Sequence, residues 1–146
     1  SDVCSSDLQL SDSTSTTSSV LAATPTAVKS AYDLAAAAMP GVLTLNAQTG
    51  TTYTFVLTDQ NKLITASNAS AQTYTIPLNS SVAYSVGTQI NLIQIGAGQV
   101  TIQGTGGVTV ASNAATSSTP KCRNQYAAAT LIKVATDTWY VIGDIA

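Results

Sequence analysis

The side chains of this sequence that could do chemistry are few and scattered. Its seven acids are all aspartates, its five cations are four lysines and one arginine, and it has no histidine. Ser-His-Asp and Cys-His nucleophile systems, an imidazole general base and histidine metal ligands are therefore excluded. A glycosidase would have to draw both of its carboxylates from the aspartates. Asp137 and Asp144 are the two that could meet across a terminal hairpin, yet aspartates at a hairpin end are far more often turn formers and solvated charges. Cys122 stands in Pro120-Lys121-Cys122-Arg123, between cations of the kind that lower a thiol pKa. An incidental small residue in a loop is the plainer reading. Gly96-Ala97-Gly98 and Gly104-Thr105-Gly106-Gly107 lack the Lys-Ser/Thr of a phosphate loop and lead into strands, so they read as hairpin turns. Asn68-Ala69-Ser70 and Asn79-Ser80-Ser81 match glycosylation sequons but read as turn residues. No three oxygen ligands share a calcium-loop spacing. The expectation is no catalytic residue, no cofactor and no metal.

Six tyrosines and one tryptophan raise a different chemistry, the stacking of aromatic faces on sugar rings. Tyr53 and Tyr74 alternate with threonines, the pattern of core or interface positions. Trp139 and Tyr140 are neighbours in a strand and point to opposite faces. One of that pair faces solvent or a neighbouring chain, which makes Trp139 and Tyr140 the candidate ligand-binding residues. Tyr84 and Tyr126 lie near loops.

The elements that must position these residues are built from an unusual composition. Charged residues are 8% of the 146, with a net charge of −2, against about 25% in an ordinary soluble domain. Serine and threonine fill the gap with 17 and 23 copies. Neither a highly charged disordered chain nor a basic nucleic-acid binder has this balance. Hydrophobic residues reach 45%, enough for one core, and no apolar run approaches the ~20 residues of a membrane helix. Neither nucleic acid nor membrane insertion is expected.

Residues 2–8, Asp-Val-Cys-Ser-Ser-Asp-Leu, read as the conceptual translation of a sequencing adapter, with the natural protein continuing upstream. Cys4 would then be artefactual, and Cys122 alone cannot form an internal bridge. Residues 1–23 read as a disordered Ser/Thr-rich linker, eight of the nine residues 11–19 being Ser or Thr. Residues 24–40 are punctuated as a helix. Thr24 can cap its N-terminus, Pro25 fits the first helical position, alanines fill its body and Pro40-Gly41 stops it. Val28, Tyr32, Ala35 and Met39 recur at helical spacing. An isolated helix of four turns is marginal in water, so this stripe must pack on the β domain or on identical helices.

From residue 42 to 146 the period becomes two. Tyr53, Phe55 and Leu57 share one face of a strand over 52–58, and further strands are expected at 62–66, 72–77, 88–95, 99–103, 108–110, 128–134 and 139–142. The segment 88–95 is apolar on both faces and so central, and Thr136-Asp137 turns between the last two strands. The expected fold is mainly β, an antiparallel β-sandwich or roll of about eight short strands, preceded by one Ala-rich helix and a Ser/Thr-rich linker. Charged side chains usually guard strand edges against pairing, and a β domain so short of them calls for assembly.

The segment Ala22-Ala23-Thr24-Pro25-Thr26-Ala27-Val28-Lys29-Ser30-Ala31-Tyr32-Asp33-Leu34-Ala35 resembles the short repeat of bacteriophage tail fibre proteins, here in a single copy. Residues 50–54, 77–82, 86–90, 96–102 and 129–139 are similar to a β domain that recurs at the ends of phage virion proteins. The resemblance implies a non-enzymatic virion structural protein: the C-terminal part of a tail fibre, mediating host-surface attachment or fibre assembly. It also implies a homotrimer, other virion proteins as partners and a host surface glycan as a further one. A head-fibre or capsid decoration protein is an alternative, and a tailspike-like polysaccharide depolymerase a more distant one.

Overall fold

The computed structural model describes residues 9–11, 21–38 and 42–146. The adapter-like start with Cys4, most of the Ser/Thr run and the Met39-Pro40-Gly41 stop lie outside the described residues. The chain divides into two units, Ser1–Val42 and Leu43–Ala146.

In the first unit, β1 (Gln9–Ser11) and β2 (Leu21–Ala23) pair in parallel, with Gln9 beside Leu21. They stand at the ends of the stretch whose composition reads as linker. Helix α1 follows over Pro25–Ala38. Thr24 caps it as its sequence predicts: Oγ1 accepts a hydrogen bond from the Ala27 N–H at 3.1 Å, and the Thr24 carbonyl accepts from the Val28 N–H. The first bond satisfies one of the donors that a helix start leaves without an intrahelical partner, and the second is the helix's first backbone bond. Lys29 and Asp33 pair along its surface. Ala27 is buried, whereas Val28, Tyr32 and Leu34 are exposed, Tyr32 by 72%.

The second unit holds nine strands in two sheets. In chain order they are β3 (Thr44–Gln48), β4 (Thr52–Thr54), β5 (Lys62–Ala66), β6 (Gln72–Ile76), β7 (Gln89–Gln94), β8 (Val100–Gly104), β9 (Thr109–Ser112), β10 (Ala128–Ala135) and β11 (Thr138–Gly143). From β3 to β9 successive strands alternate between sheets. A three-stranded sheet runs β4-β6-β8, and a six-stranded sheet runs β3-β5-β7-β10-β11-β9. Each of β3–β4, β5–β6 and β7–β8 is therefore an arch that leaves one sheet, turns and enters the other. The arches stack in register, with Thr52 beside Thr73 and Thr73 beside Thr101 on one side, and Ile64 beside Leu92 on the other.

The mainly β class and the helix ahead of the strands agree with the sequence reading. Strand direction does not. Every pairing among β3–β8 is parallel, as is β9 with β11, and among the named strands only β7–β10 and β10–β11 are antiparallel. A two-residue period reports which side chains share a face but not which strand lies alongside. The turns at 96–98 and 104–107, which read as hairpins, join strands of different sheets, as does the turn at 67–70. Thr136-Asp137 does close a hairpin, and the segment apolar on both faces, β7, does lie inside its sheet.

Close stacking explains two glycines. A Cβ on Gly98 would fall 1.8 Å from the Ser70 carbonyl oxygen, and one on Gly96 would fall 2.2 Å from that of Asn68. Backbone thus lies directly on backbone where the second and third arches turn. Two buried glutamines brace the same turns from inside. Gln94 Oε1 accepts from the Val100 N–H at 3.0 Å and its Nε2 donates to the Gly96 carbonyl, while Gln72 Nε2 donates to the Gly98 carbonyl. Between the sheets lie Phe55, Ile64, Tyr74, Ile90, Leu92, Ile102, Leu131 and Trp139, all buried. Tyr53, Phe55 and Tyr74 form one aromatic cluster, and Tyr84 meets Trp139 edge to face at 5.3 Å. The strand expected over 52–58 stops early. After Phe55 the chain turns into a 3₁₀ helix at Leu57–Asp59, which leaves Leu57 exposed instead of beside Tyr53 and Phe55.

Candidate functional site

Asp137 and Asp144 sit at opposite ends of β11, separated by six strand residues, or roughly 20 Å at the usual rise. They cannot act on one bond. Asp137 holds the left-handed position of the hairpin turn (φ 53°) and accepts a hydrogen bond from the Asn79 N–H at 2.6 Å. Asp144 pairs with Arg123 at 2.7 Å. The sequon asparagines are turn residues too: Asn68 Oδ1 accepts from the Ser70 N–H.

Cys122 is buried, not placed in an exposed loop. Its thiol is pushed up to about 11, first by burial and then by the nearby Asp144 carboxylate. Of the two cations flanking it, Arg123 turns instead to Asp144 and the Ile145 carbonyl. The residue behaves as a small apolar side chain in the core, the ordinary fate of a buried thiol.

Two charged side chains that the sequence reading passed over are fully inside. Asp59 accepts from Asn46 Nδ2, the Tyr53 hydroxyl and the Val56 N–H, each at 2.8 Å. Burial, followed by the bond to Asp59, pushes the Tyr53 hydroxyl up to about 12. Lys133 Nζ donates to Asn79 Oδ1 and to the Tyr84 carbonyl at 2.7 Å. The Tyr84 hydroxyl in turn donates to the Val56 carbonyl. These chains of hydrogen bonds tie the loop before β7 to β10 and to the 3₁₀ helix, and they satisfy the buried polar atoms. The sequence signal for Lys133 was its parity: it alternates with Leu131 and Ala129 on the inward side of β10.

Trp139 and Tyr140 separate as strand geometry requires. Trp139 is buried against Tyr84, and Tyr140 is 49% exposed. Of the two candidates only Tyr140 lies on the surface. It lines an open groove of about 550 Å³ with Ala111, Ser112, Asn113, Ile142 and Gly143. One wall is fixed by a short loop in which Ser112 and Ser117 exchange three hydrogen bonds. No charged side chain lines the groove, so it can offer ring stacking, hydroxyls and amides but no charge steering. Among the described residues no group of His, Cys, Asp or Glu is arranged to hold a metal ion.

Comparison with known proteins bears on the first unit. Residues 8–41 match the family model of the phage tail fibre repeat. That stretch contains β1, β2 and α1. The match spans under a quarter of the 146 residues, and it supports a phage tail fibre structural protein, a component of the virion's tail fibre. No curated protein matches the chain.

Proposed function

We propose that this chain is a non-enzymatic part of a homotrimeric tail fibre, in which its β domain serves fibre assembly and, through the assembled tip, attachment to the host surface. The observation that carries this reading is the state of the repeat's helix. Val28 and Tyr32, four residues apart, lie exposed on one face of α1, and apolar side chains at helical spacing need a covering surface. Identical helices from other copies supply one without any charge complementarity.

Light scattering after size exclusion tests it. A trimer gives about three times the chain's 14.8 kDa, and a monomer at every concentration overturns it. Because charge is so sparse, attachment to host cells should change little between low and moderate salt.

A second reading is favoured by the groove beside Tyr140: direct contact with a host surface glycan. Its volume lies within the range of small-molecule sites, and its lining suits a neutral sugar. The expected outcome is a several-fold loss of cell attachment for Tyr140→Ala with the oligomeric mass unchanged.

A further inference from the structure

The six-stranded sheet has two faces, and the register assigns every side chain to one of them. Ile64, Leu92, Leu131, Trp139 and Val110 point inward. Their alternating neighbours point outward and form rows across the strands. One row runs Leu45, Leu63, Asn91, Thr130, Ile142. The next runs Ala47, Thr65, Ile93, Ala128. On the other side lie Gln89, Ile132, Tyr140 and Ala111.

No charged residue stands in any of these rows. The two charged residues that fall within strands, Lys62 and Lys133, have inward parity. A sheet face turned to water normally carries polar and charged side chains. Here Leu45 is 64% exposed, Ile142 52% and Tyr140 49%.

We infer that this outward face is an interface covered by another copy of the same chain. The inference deepens the oligomeric reading above and rests on it. Size is the first argument. Six strands about 4.8 Å apart, with about five residues each at ~3.3 Å, span roughly 480 Å² in projection. Three such faces turned to a common threefold axis remove roughly 1,400 Å² from water, above the ~1,000 Å² lower bound for a specific interface. Charge is the second argument. A surface of Leu, Ile, Tyr, Ala and Thr fits a partner that is equally uncharged, and this chain, with 8% charged residues, carries such surface itself. Relief is the third. Over β3 and β5, Leu45 and Leu63 stand beside Ala47 and Thr65, and ridges beside grooves are what packed sheets need to interdigitate at ~10 Å. On this account Tyr140 and its groove are filled by the neighbouring copy.

The test uses the full chain. Ile132→Lys and Thr130→Lys each place a charge on the face without touching the core, and Tyr32→Lys does the same on α1. Light scattering over a concentration series reads the mass, and far-ultraviolet circular dichroism reads the fold. The expected result is at least a tenfold rise in the concentration for half-dissociation in both face variants, with native spectra. A mass unchanged in both face variants overturns the inference. If the mass falls only in Tyr32→Lys, association runs through the helix, and the interface is overturned while the oligomeric reading stands. A wild-type chain that is monomeric throughout overturns both. If that monomer binds host polysaccharide and Tyr140→Ala abolishes the binding, the face belongs to a glycan.

Discussion

The two halves of the β domain are held together by different means. In the arched half, β3 to β8, neighbouring strands are parallel and like residues stack on like, as Thr52, Thr73 and Thr101 do. Cohesion there comes from buried amides and from backbone resting on backbone at Gly96 and Gly98. In the closing half, β9 to β11, a hairpin carries a buried lysine, the largest aromatic side chain and an Arg–Asp pair. A stack tolerates almost no change where its layers touch, because a new atom has nowhere to go. A hairpin packed on a core tolerates change in proportion to the volume and hydrogen bonds removed.

The largest expected effect falls in the closing half. Trp139→Ala empties the space against Tyr84 and should cost about 3–5 kcal/mol, read as a shift in the denaturant midpoint. Alkaline unfolding follows and separates the groups by their windows. A raised folded pKa means that the unfolded chain releases its proton first, so stability is full below the unfolded value and is lost as pH climbs through the folded one. Cys122, raised from 9.0 to about 11, gives its loss between those values. Tyr53 and Tyr74, raised from 10.0 to about 12 chiefly by burial, give theirs later. Tyr84 is raised further by the same cause. Cys122→Ala should move the onset of alkaline unfolding from near pH 9 to near pH 10, and an unmoved onset would put the first loss elsewhere.

In the arched half, Gly98→Ala forces the second and third arches apart and should cost roughly 1–3 kcal/mol. Hydrogen exchange should rise in β5–β8 first, while β10–β11 stays protected. Gln94→Leu deprives the Val100 N–H and the Gly96 carbonyl of their partner. It should cost about 1–3 kcal/mol, with the same pattern of exchange. The smallest effect belongs to Arg123→Ala. The pair with Asp144 is more than half exposed on both sides, so its loss is about 0.2–1 kcal/mol and shrinks in salt.

What was legible in the sequence was local. Thr24 caps α1 because its hydroxyl reaches a donor three residues on, and Thr136-Asp137 turns the last hairpin because the partners are adjacent in the chain. Trp139 and Tyr140 divide between core and surface for the same short-range reason. Strand direction was illegible because it depends on residues far apart. Gln72 meets the Gly98 carbonyl 26 residues away, and Lys133 meets the Tyr84 carbonyl 49 residues away. The burial of Asp59 and Cys122 was illegible on the same ground: a carboxylate with three donors around it, or a thiol inside the core, is recognisable only after the chain has folded. The groove beside Tyr140 brings together β9 and β11, which pair across an intervening strand of sequence, so only its aromatic member announced itself.

The arches also govern how quickly the domain can form. Each parallel pairing among them closes a long stretch of chain before any bond repays the lost entropy, whereas β10 and β11 meet across two residues. Topologies dominated by distant pairings fold in milliseconds to seconds and leave strand edges open meanwhile. The hairpin closes the shortest loop, whereas the bond from the Thr130 hydroxyl to Asn91 spans 39 residues. During virion assembly, the interval before the arches close is when these sparsely charged strands can pair with a wrong neighbour.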